Sequence, residues 1–301
     1  MTFKSLLFDK FGSSLSKNTS MSKYSWFNLG GPAEYLFKPD NKQQLIEFLR
    51  ENKIHKLKIF IIGAGSNTLI RDKGIKGVVI KLGKGFGGIN LINKNTIEVG
   101  ASVLDRKVAN FAKENNISDF EFLSCIPGSI GGAVIMNSGC YENDISKVLR
   151  SIKVIDIDEC IEKEIKREEI EFYYRGTNLS NKFIITSVIM RGSLGVKEKI
   201  EKKQIDFIER KKLSQPSQVK TCGSTFKNIV NDKKAWQFIK ESGCDKFKVG
   251  DAQISKKHCN FFINNGNANS SDIELLINKV KKTVSEKTGV NLELEIKIIG
   301  D

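Results

Sequence analysis

Lys58-Ile-Phe-Ile-Ile-Gly-Ala-Gly-Ser-Asn-Thr-Leu-Ile-Arg-Asp72 is the stretch on which the fold of this chain turns. Its apolar run, Ile59 to Ile62, predicts a short buried strand. The run stops at five small residues, Gly63, Ala64, Gly65, Ser66 and Asn67. Main-chain N–H groups can turn outward there and a bulky anion can touch the backbone, as a pyrophosphate requires. A wound dinucleotide-binding fold sets a third glycine at position 68 and opens a helix there. Position 68 is Thr, and the following Asp72-Lys-Gly-Ile-Lys-Gly-Val-Val-Ile-Lys81 predicts a turn into another strand. The residues alone leave open whether this inter-strand loop cradles a phosphate or is a plain turn.

Outward from the loop, Gln43–Asn52 carries Leu45, Ile46, Phe48 and Leu49 at helical spacing, so residues 33–63 predict strand, helix, strand. Val78–Ile80 and Thr96–Val99 predict strands, and Leu104–Asn115 a helix with Val108, Phe111 and Ala112 on one face. A second side-chain-poor stretch follows, Cys125-Ile-Pro-Gly-Ser-Ile-Gly-Gly-Ala-Val-Ile-Met-Asn-Ser-Gly-Cys140. Missing side chains suit close approach by a large flat ligand or by another backbone. Two such stretches, far apart in sequence, favour a shared ligand. Ser151–Ile157 and Phe183–Met190 predict strands, with the charged Lys163–Glu171 as a turn or surface arm between them. An amphipathic helix spans about 195–213, with Ile200, Ile205, Phe207 and Ile208 on its apolar side. Beyond a boundary at Gln215-Pro216-Ser217, Lys234–Ser242 predicts a helix and Asn260–Asn264 a strand. Ser271-Asp-Ile-Glu274 reads as a capping box opening a helix to about Lys287, and Asn291–Ile298 as a terminal alternating strand.

The chain has 301 residues, 40% hydrophobic and 28% charged, which suits two or three domains with cores of their own. No apolar run approaches the ~20 residues of a membrane span, and Met1–Lys10 lacks the apolar core of a signal peptide. The expectation is a cytoplasmic protein with no membrane partner. The net charge of +14 comes with no nucleic-acid motif. A lysine-rich solvated surface accounts for it, and phosphorylated small molecules fit the same charge. Six cysteines without a Cys-x-x-Cys, and only His55 and His258 as imidazoles, predict no metal site.

In order along the chain stand Asn18-Thr-Ser20, Asn28-Leu-Gly-Gly-Pro-Ala33, Gly63-Ala-Gly-Ser-Asn67 and Ile126-Pro-Gly-Ser-Ile-Gly-Gly-Ala133. Asn137-Ser-Gly139, Tyr174-Arg175, Gln215-Pro216, Gly223-Ser-Thr-Phe-Lys-Asn228 and Glu293-Leu-Glu-Ile-Lys-Ile-Ile-Gly300 follow. Together they resemble the UDP-N-acetylenolpyruvoylglucosamine reductase (UDP-N-acetylmuramate dehydrogenase) family, flavin enzymes of bacterial peptidoglycan synthesis. The short segment after Tyr174-Arg175 resembles the family's second, shorter branch. The resemblance implies an α+β fold of three domains. Residues 1–82, rejoined by the terminal strand 291–301, and residues 83–207 would form an FAD-binding unit of the vanillyl-alcohol-oxidase/PCMH type. Residues 208–290 would bind substrate.

It further implies FAD held through Gly63, Ala64, Gly65, Ser66, Asn67 and Leu69, and through Ile126, Pro127, Gly128, Ser129, Gly132 and Ala133. With no histidine in either stretch, the cofactor is expected to be non-covalent. The implied reaction passes hydride from NADPH to FAD, then from flavin N5 to the terminal vinyl carbon of an enolpyruvyl ether. Negative charge then spreads into the substrate carboxylate, and one proton completes the reduction. By the same resemblance Arg175 steadies the carboxylate, Ser224 donates the proton and Glu295 is the catalytic carboxylate, its neighbour Glu293 remaining an alternative. The three are expected to converge over the flavin. Tyr174, Lys212, Asn228 and Gln253 are implied in substrate binding, and His258 is a weaker cleft candidate. A monomer acting on a UDP-sugar and NADPH is expected. An FAD-linked oxidase of the same wider fold, or a basic phosphosugar- or nucleic-acid-binding module, are the alternatives; the second would be colourless.

Overall fold

The computed structural model describes residues 10–229 and 233–301; the reading of the extreme N-terminus falls on residues 1–9, outside the described residues. The principal elements begin with β1 (Leu15–Ser20), β2 (Pro32–Phe37), α1 (Lys42–His55), β3 (Ile59–Ile61), β4 (Thr68–Ile70) and β5 (Ile75–Ile80). Next come β6 (Ile89–Asn93), β7 (Thr96–Gly100), α2 (Asp105–Glu114), α3 (Ile130–Ile135), β8 (Leu149–Asp156), β9 (Glu162–Lys166) and β10 (Phe183–Arg191). The chain then runs through α4 (Lys197–Ser214), α5 (Ala235–Glu241), β11 (Lys248–Val249), β12 (Ala252–Ile254), β13 (Phe262–Asn264), α6 (Ser270–Thr288) and β14 (Lys297–Ile299). It divides into two compact units. The first comprises Met1–Lys17, Tyr35–Ala64 and Gly77–Arg210, the second Asn18–Glu34, Gly65–Lys76 and Lys211–Asp301.

Two sheets of more than three strands lie wholly or mainly in the first unit. In the four-stranded one, ordered β1-β2-β5-β3, β3 runs parallel to β5 with Ile59 opposite Val78 and Ile61 opposite Ile80. Helix α1 covers it through Leu45, Phe48 and Leu49. Its start is set by Asn41, whose side chain accepts a hydrogen bond from the Gln44 amide, and its end by Lys56 in the left-handed conformation. Phe37 stacks on Phe48 at 4.1 Å and Phe11 meets both edge-on. Such ring pairs add about 0.5–1.5 kcal/mol each beyond the area they bury.

The second sheet is antiparallel, ordered β9-β8-β10-β7-β6, with a core of Ile97, Val99, Ile152, Val154, Val188 and Met190. Here lies one difference from expectation. Lys163–Glu171 is not a surface arm throughout, because Glu162–Lys166 pairs with β8 as the edge strand, Ser151 opposite Lys166. Its alternating Glu and Lys side chains blunt that edge against pairing with another chain. Along α4 the inward residues are Ile200, Gln204 and Phe207, while Ile205 is half exposed. Gln204 satisfies its buried amide on the Ala109 carbonyl at 2.9 Å.

In the second unit the antiparallel sheet β11-β12-β13 packs with α5 and α6 around Phe226, Phe262, Leu276 and Val280. The box that starts α6 is two residues earlier than expected. Asn269 accepts from the Asp272 amide and Asp272 returns the bond to the Asn269 amide. Asp72 adds a second cap, its carboxylate accepting from the Ser270 and Ser271 amides at 2.8 and 3.1 Å. Burial opposes its ionisation, but these bonds outweigh burial and hold Asp72 below the usual carboxylate range. The C-terminal segment returns to the loop: Lys297–Ile299 pairs in parallel with Thr68–Ile70. Only those three residues form a regular strand. Before it, the expected strand from Asn291 is reduced to an isolated bridge between Leu294 and Phe226.

Candidate active site

The Gly63–Asn67 loop begins in the first unit and ends in the second, and each unit fixes its own half. In the first, Gly63 faces the second side-chain-poor stretch directly: a Cβ built on Gly63 would stand 2.5 Å from Ser129 Oγ. The two stretches singled out in the sequence therefore abut. Ile61, before the loop, is 43% exposed, so this strand is less buried than its composition predicts. The chain bends at Gly128 and then forms a short helix over Ile130–Ile135. Its opening amides are engaged, Ile130 N–H on Val103 O and Gly131 N–H on Ala101 O, while Ser129 is buried and Gly132 is exposed. Lys81 donates from Nζ to the Gly63 carbonyl. Burial first, and Lys38 second, lower its pKa. A cation fixed behind a turn of small residues, with no room for a side chain, fits an anionic diphosphate.

In the second unit Gly65 is left-handed (φ +70°), and a Cβ there would fall 1.8 Å from the Tyr24 carbonyl oxygen. The Gly65 carbonyl accepts from the Trp26 amide at 3.0 Å. Leu69 is fully buried in the core, so it can offer a cofactor only its main chain. Asn67 ties the loop to the C-terminal segment: Nδ2 donates to Glu295 O at 3.0 Å, and its carbonyl accepts from the Lys297 amide at 2.9 Å. Below, the Cys222 thiol reaches the carbonyls of Thr68 and Gly65, and burial pushes its pKa up to about 11.

Ser224 follows Gly223, which is left-handed at φ +80°. It bridges to Phe261, and the next amide, Thr225 N–H, donates to Asn260 O at 2.8 Å. The Asn260 side chain completes the ladder, accepting from Phe226 N–H at 2.9 Å and donating to Phe226 O at 2.8 Å. On the other side Glu295 N–H donates to Thr225 O and Lys227 N–H to Glu293 O, each at 2.9 Å. The backbone segment of Ser224 thus lies between Asn260–Phe261 and Glu293–Glu295. The two glutamates differ: Glu293 is 77% exposed at its side chain and pairs with Lys227 at 3.6 Å, whereas Glu295 is half-buried. Asn228 Oδ1 accepts from the Ala235 amide at the start of α5. Gln253 is half-buried in β12 opposite Ile263, and Lys212 is exposed. Burial lowers the pKa of His258, which accepts on Nδ1 from the Asn260 amide and packs between Trp236 and Phe261. It props up the Asn260 turn.

Arg175 belongs to the first unit. Tyr174-Arg175 is the two-residue turn of a hairpin closed by Tyr173 opposite Gly176. Arg175 takes the left-handed conformation there, φ +58°, unusual for a non-glycine residue. Its Nη2 donates to Gly139 O at 2.8 Å and its guanidinium lies 5.0 Å from the Tyr174 ring centre. Asn137 holds the hairpin, donating to Tyr173 O and accepting from Ser146 N–H. Arg175 therefore lines a cavity of about 320 Å³ with Asn137, Asp144, Arg167 and Tyr174.

Asp105 was not among the sequence candidates. It opens α2, its amide donates to Gly128 O in the second stretch, and its carboxyl is fully buried with no hydrogen-bond partner among the described residues. Burial alone pushes its pKa up to about 8 from 3.8. Folding therefore favours the protonated acid. The contribution is complete below pH 3.8 and lost as pH rises toward 8. Asp105→Asn should gain stability over the native chain by about 1.4 kcal/mol per pH unit across that window, levelling above it. Urea unfolding at pH 5, 6.5 and 8 measures the difference; a pH-independent one would refute the buried neutral acid.

Among the described residues no three His, Cys, Asp or Glu side chains group as a metal site, and no helix is long and apolar enough to cross a membrane.

Comparison with known proteins places the chain among the FAD-dependent oxidoreductases. An FAD binding domain model matches residues 33–162, and the model for the UDP-N-acetylenolpyruvoylglucosamine reductase C-terminal domain matches residues 215–299. The reductase of that name from Pelagibacter ubique is 43% identical over 293 residues, covering 97% of this chain and 96% of the relative. That of Wolbachia pipientis wMel is 42% identical over 280 residues, covering 93% and 94%. The solved UDP-N-acetylenolpyruvylglucosamine reductase from Thermus caldophilus superposes with a TM-score of 0.81 at 29% identity, covering 93% of this chain and 97% of that one. The chain belongs to the UDP-N-acetylenolpyruvoylglucosamine reductase family.

Proposed function

We propose that this chain converts UDP-N-acetylglucosamine enolpyruvate to UDP-N-acetylmuramate with NADPH as reductant, as a cytoplasmic monomer of the family's short second branch. FAD, held non-covalently by the stretches Gly63–Asn67 and Ile126–Ala133, would supply the hydride chemistry that links NADPH to the enolpyruvyl ether. The remaining work falls to side chains. Arg175, permanently charged and already fixed by Gly139 and Tyr174, takes the substrate carboxylate in a forked pair of hydrogen bonds. Ser224 Oγ gives its proton to the carbon that carries the developing charge. Glu295 is the catalytic carboxylate placed beside the same charge. Lys212, Asn228, Tyr174 and Gln253 bind the sugar nucleotide. The three-domain plan, residues 1–82 with 291–301, 83–207 and 208–290, belongs to this reading; the matches at residues 33–162 and 215–299 support only its separation of a flavin-binding part from a C-terminal part.

The observation that carries the reading is the hydrogen-bonded assembly in the second unit. There Asn67 of the small-residue loop bonds to Glu295, and Glu295 bonds to the residue after Ser224. Glu295→Gln and Glu293→Gln discriminate the two carboxylates. NADPH oxidation dependent on the enolpyruvyl sugar nucleotide should fall by roughly 10²-fold or more in the first and stay near the native rate in the second. The reverse order would transfer the role to Glu293.

A further inference from the structure

Cys125 and Cys140 frame the second side-chain-poor stretch, and their sulfurs lie 3.1 Å apart. That is only about 1 Å beyond a bonded S–S pair. Both thiols also donate to the same acceptor, the Phe122 carbonyl, Cys125 at 3.2 Å and Cys140 at 3.4 Å. Cys125 ends the turn Glu121–Cys125 and leads straight into Ile126-Pro127-Gly128. Cys140 sits in the small hairpin Gly139–Cys140/Asn143–Asp144, next to the carbonyl that anchors Arg175. Cys125 is nearly buried and Cys140 half-buried, so the second sulfur is the one an oxidant reaches.

We propose that Cys125 and Cys140 are a peroxide-responsive dithiol whose disulfide closes the ends of the Ile126–Gly139 segment onto each other. Hydrogen peroxide oxidises the Cys140 thiol to a sulfenic acid and leaves one water. The Cys125 thiol attacks that sulfur, the S–S bond forms, and the oxygen departs as a second water. Two thiols and one peroxide thus yield one disulfide and two waters, and a dithiol reductant restores the pair. Among the described residues no second pair of cysteine sulfurs lies within hydrogen-bonding distance. Cys160 donates to its own turn at Ile157 O, Cys222 lies beneath the Gly65 and Thr68 carbonyls, and burial raises the pKa of Cys222, Cys244 and Cys259. The proposal concerns a modification site and stands whether or not the assigned reaction is correct.

Residues 114–147 contain both cysteines and no Lys or Arg before Lys147, so trypsin releases them as one peptide. The full chain with FAD added is treated with hydrogen peroxide, alkylated and digested without reductant. The expected product is the 114–147 peptide two hydrogens lighter, with both sulfurs closed to iodoacetamide. Dithiothreitol should reverse it, and the intact Cys140→Ser protein should not form it. Hydrogen exchange across 126–139 should slow in the oxidised protein, as loop ends tied together restrict local opening. Full alkylation of both sulfurs after peroxide, or a disulfide joining either one to another cysteine, would overturn the proposal. So would a closed peptide whose exchange is unchanged or faster.

Discussion

Ser224→Ala should leave NADPH able to bleach the yellow protein and should abolish the return of colour on adding the enolpyruvyl sugar nucleotide. A positioned proton donor contributes roughly 10²–10⁴-fold, and that loss should fall on the second half-reaction alone. The structure makes the substitution a clean one. The Ser224 segment is held by main-chain bonds to Asn260 and Glu295 and by the Asn260 side chain, none of which uses the serine hydroxyl. Removing one oxygen therefore leaves the ladder standing. Separate stopped-flow traces for bleaching and recolouring measure the two steps. Equal slowing of both would remove Ser224 from proton donation and make it a binding residue.

Gly65→Ala should strip the protein of FAD far more thoroughly than Gly63→Ala. Alanine in the left-handed region costs about 1–2 kcal/mol, roughly 5- to 30-fold in affinity if it falls on the bound state. The new methyl would also collide with the Tyr24 carbonyl at 1.8 Å, and that oxygen cannot rotate away. Gly63 has neither problem to the same degree. Its φ is not left-handed, and the obstructing atom is Ser129 Oγ, the end of a side chain with other rotamers. Titration of each apoprotein with FAD, followed by flavin fluorescence, gives the ratio. A Gly63→Ala protein weaker than Gly65→Ala would contradict the cradle.

Local signals served the reading of the chain wherever a face or a cap decided the structure. Helix α1 was legible because Leu45, Phe48 and Leu49 repeat at helical spacing; only its cap, Asn41, had to be seen in place. The Thr at position 68 correctly excluded a helix after the loop, since β4 follows it. Elsewhere tertiary pairing decided. Glu162–Lys166 has a polar composition that suits a solvated arm, yet β8 offers it a free edge and main-chain bonds fold it into a strand. The Leu-Glu-Leu-Glu alternation near the C-terminus marks one face correctly, but only Lys297–Ile299 finds a regular partner.

The site divides in the same way. Gly63, Gly65 and the second stretch were visible as missing side chains, and their abutment at Ser129 was not. Asn260, which completes the ladder beside Ser224, and Asp105, buried behind Gly128, carry no local signal. An asparagine before two phenylalanines and an aspartate in a helix's first turn are ordinary in sequence; their meaning comes from burial. The resemblance favoured Glu295 and left Glu293 open; the structure adds that Glu293 is the more exposed of the two and pairs with Lys227.

The most direct measurement mixes the yellow, FAD-loaded protein with one equivalent of NADPH without oxygen, then with UDP-N-acetylglucosamine enolpyruvate, while flavin absorbance is recorded. The account predicts that NADPH bleaches the colour and that the sugar nucleotide restores it, with one UDP-N-acetylmuramate formed per flavin. Colour that NADPH cannot bleach, or that returns only when oxygen is admitted, would contradict it.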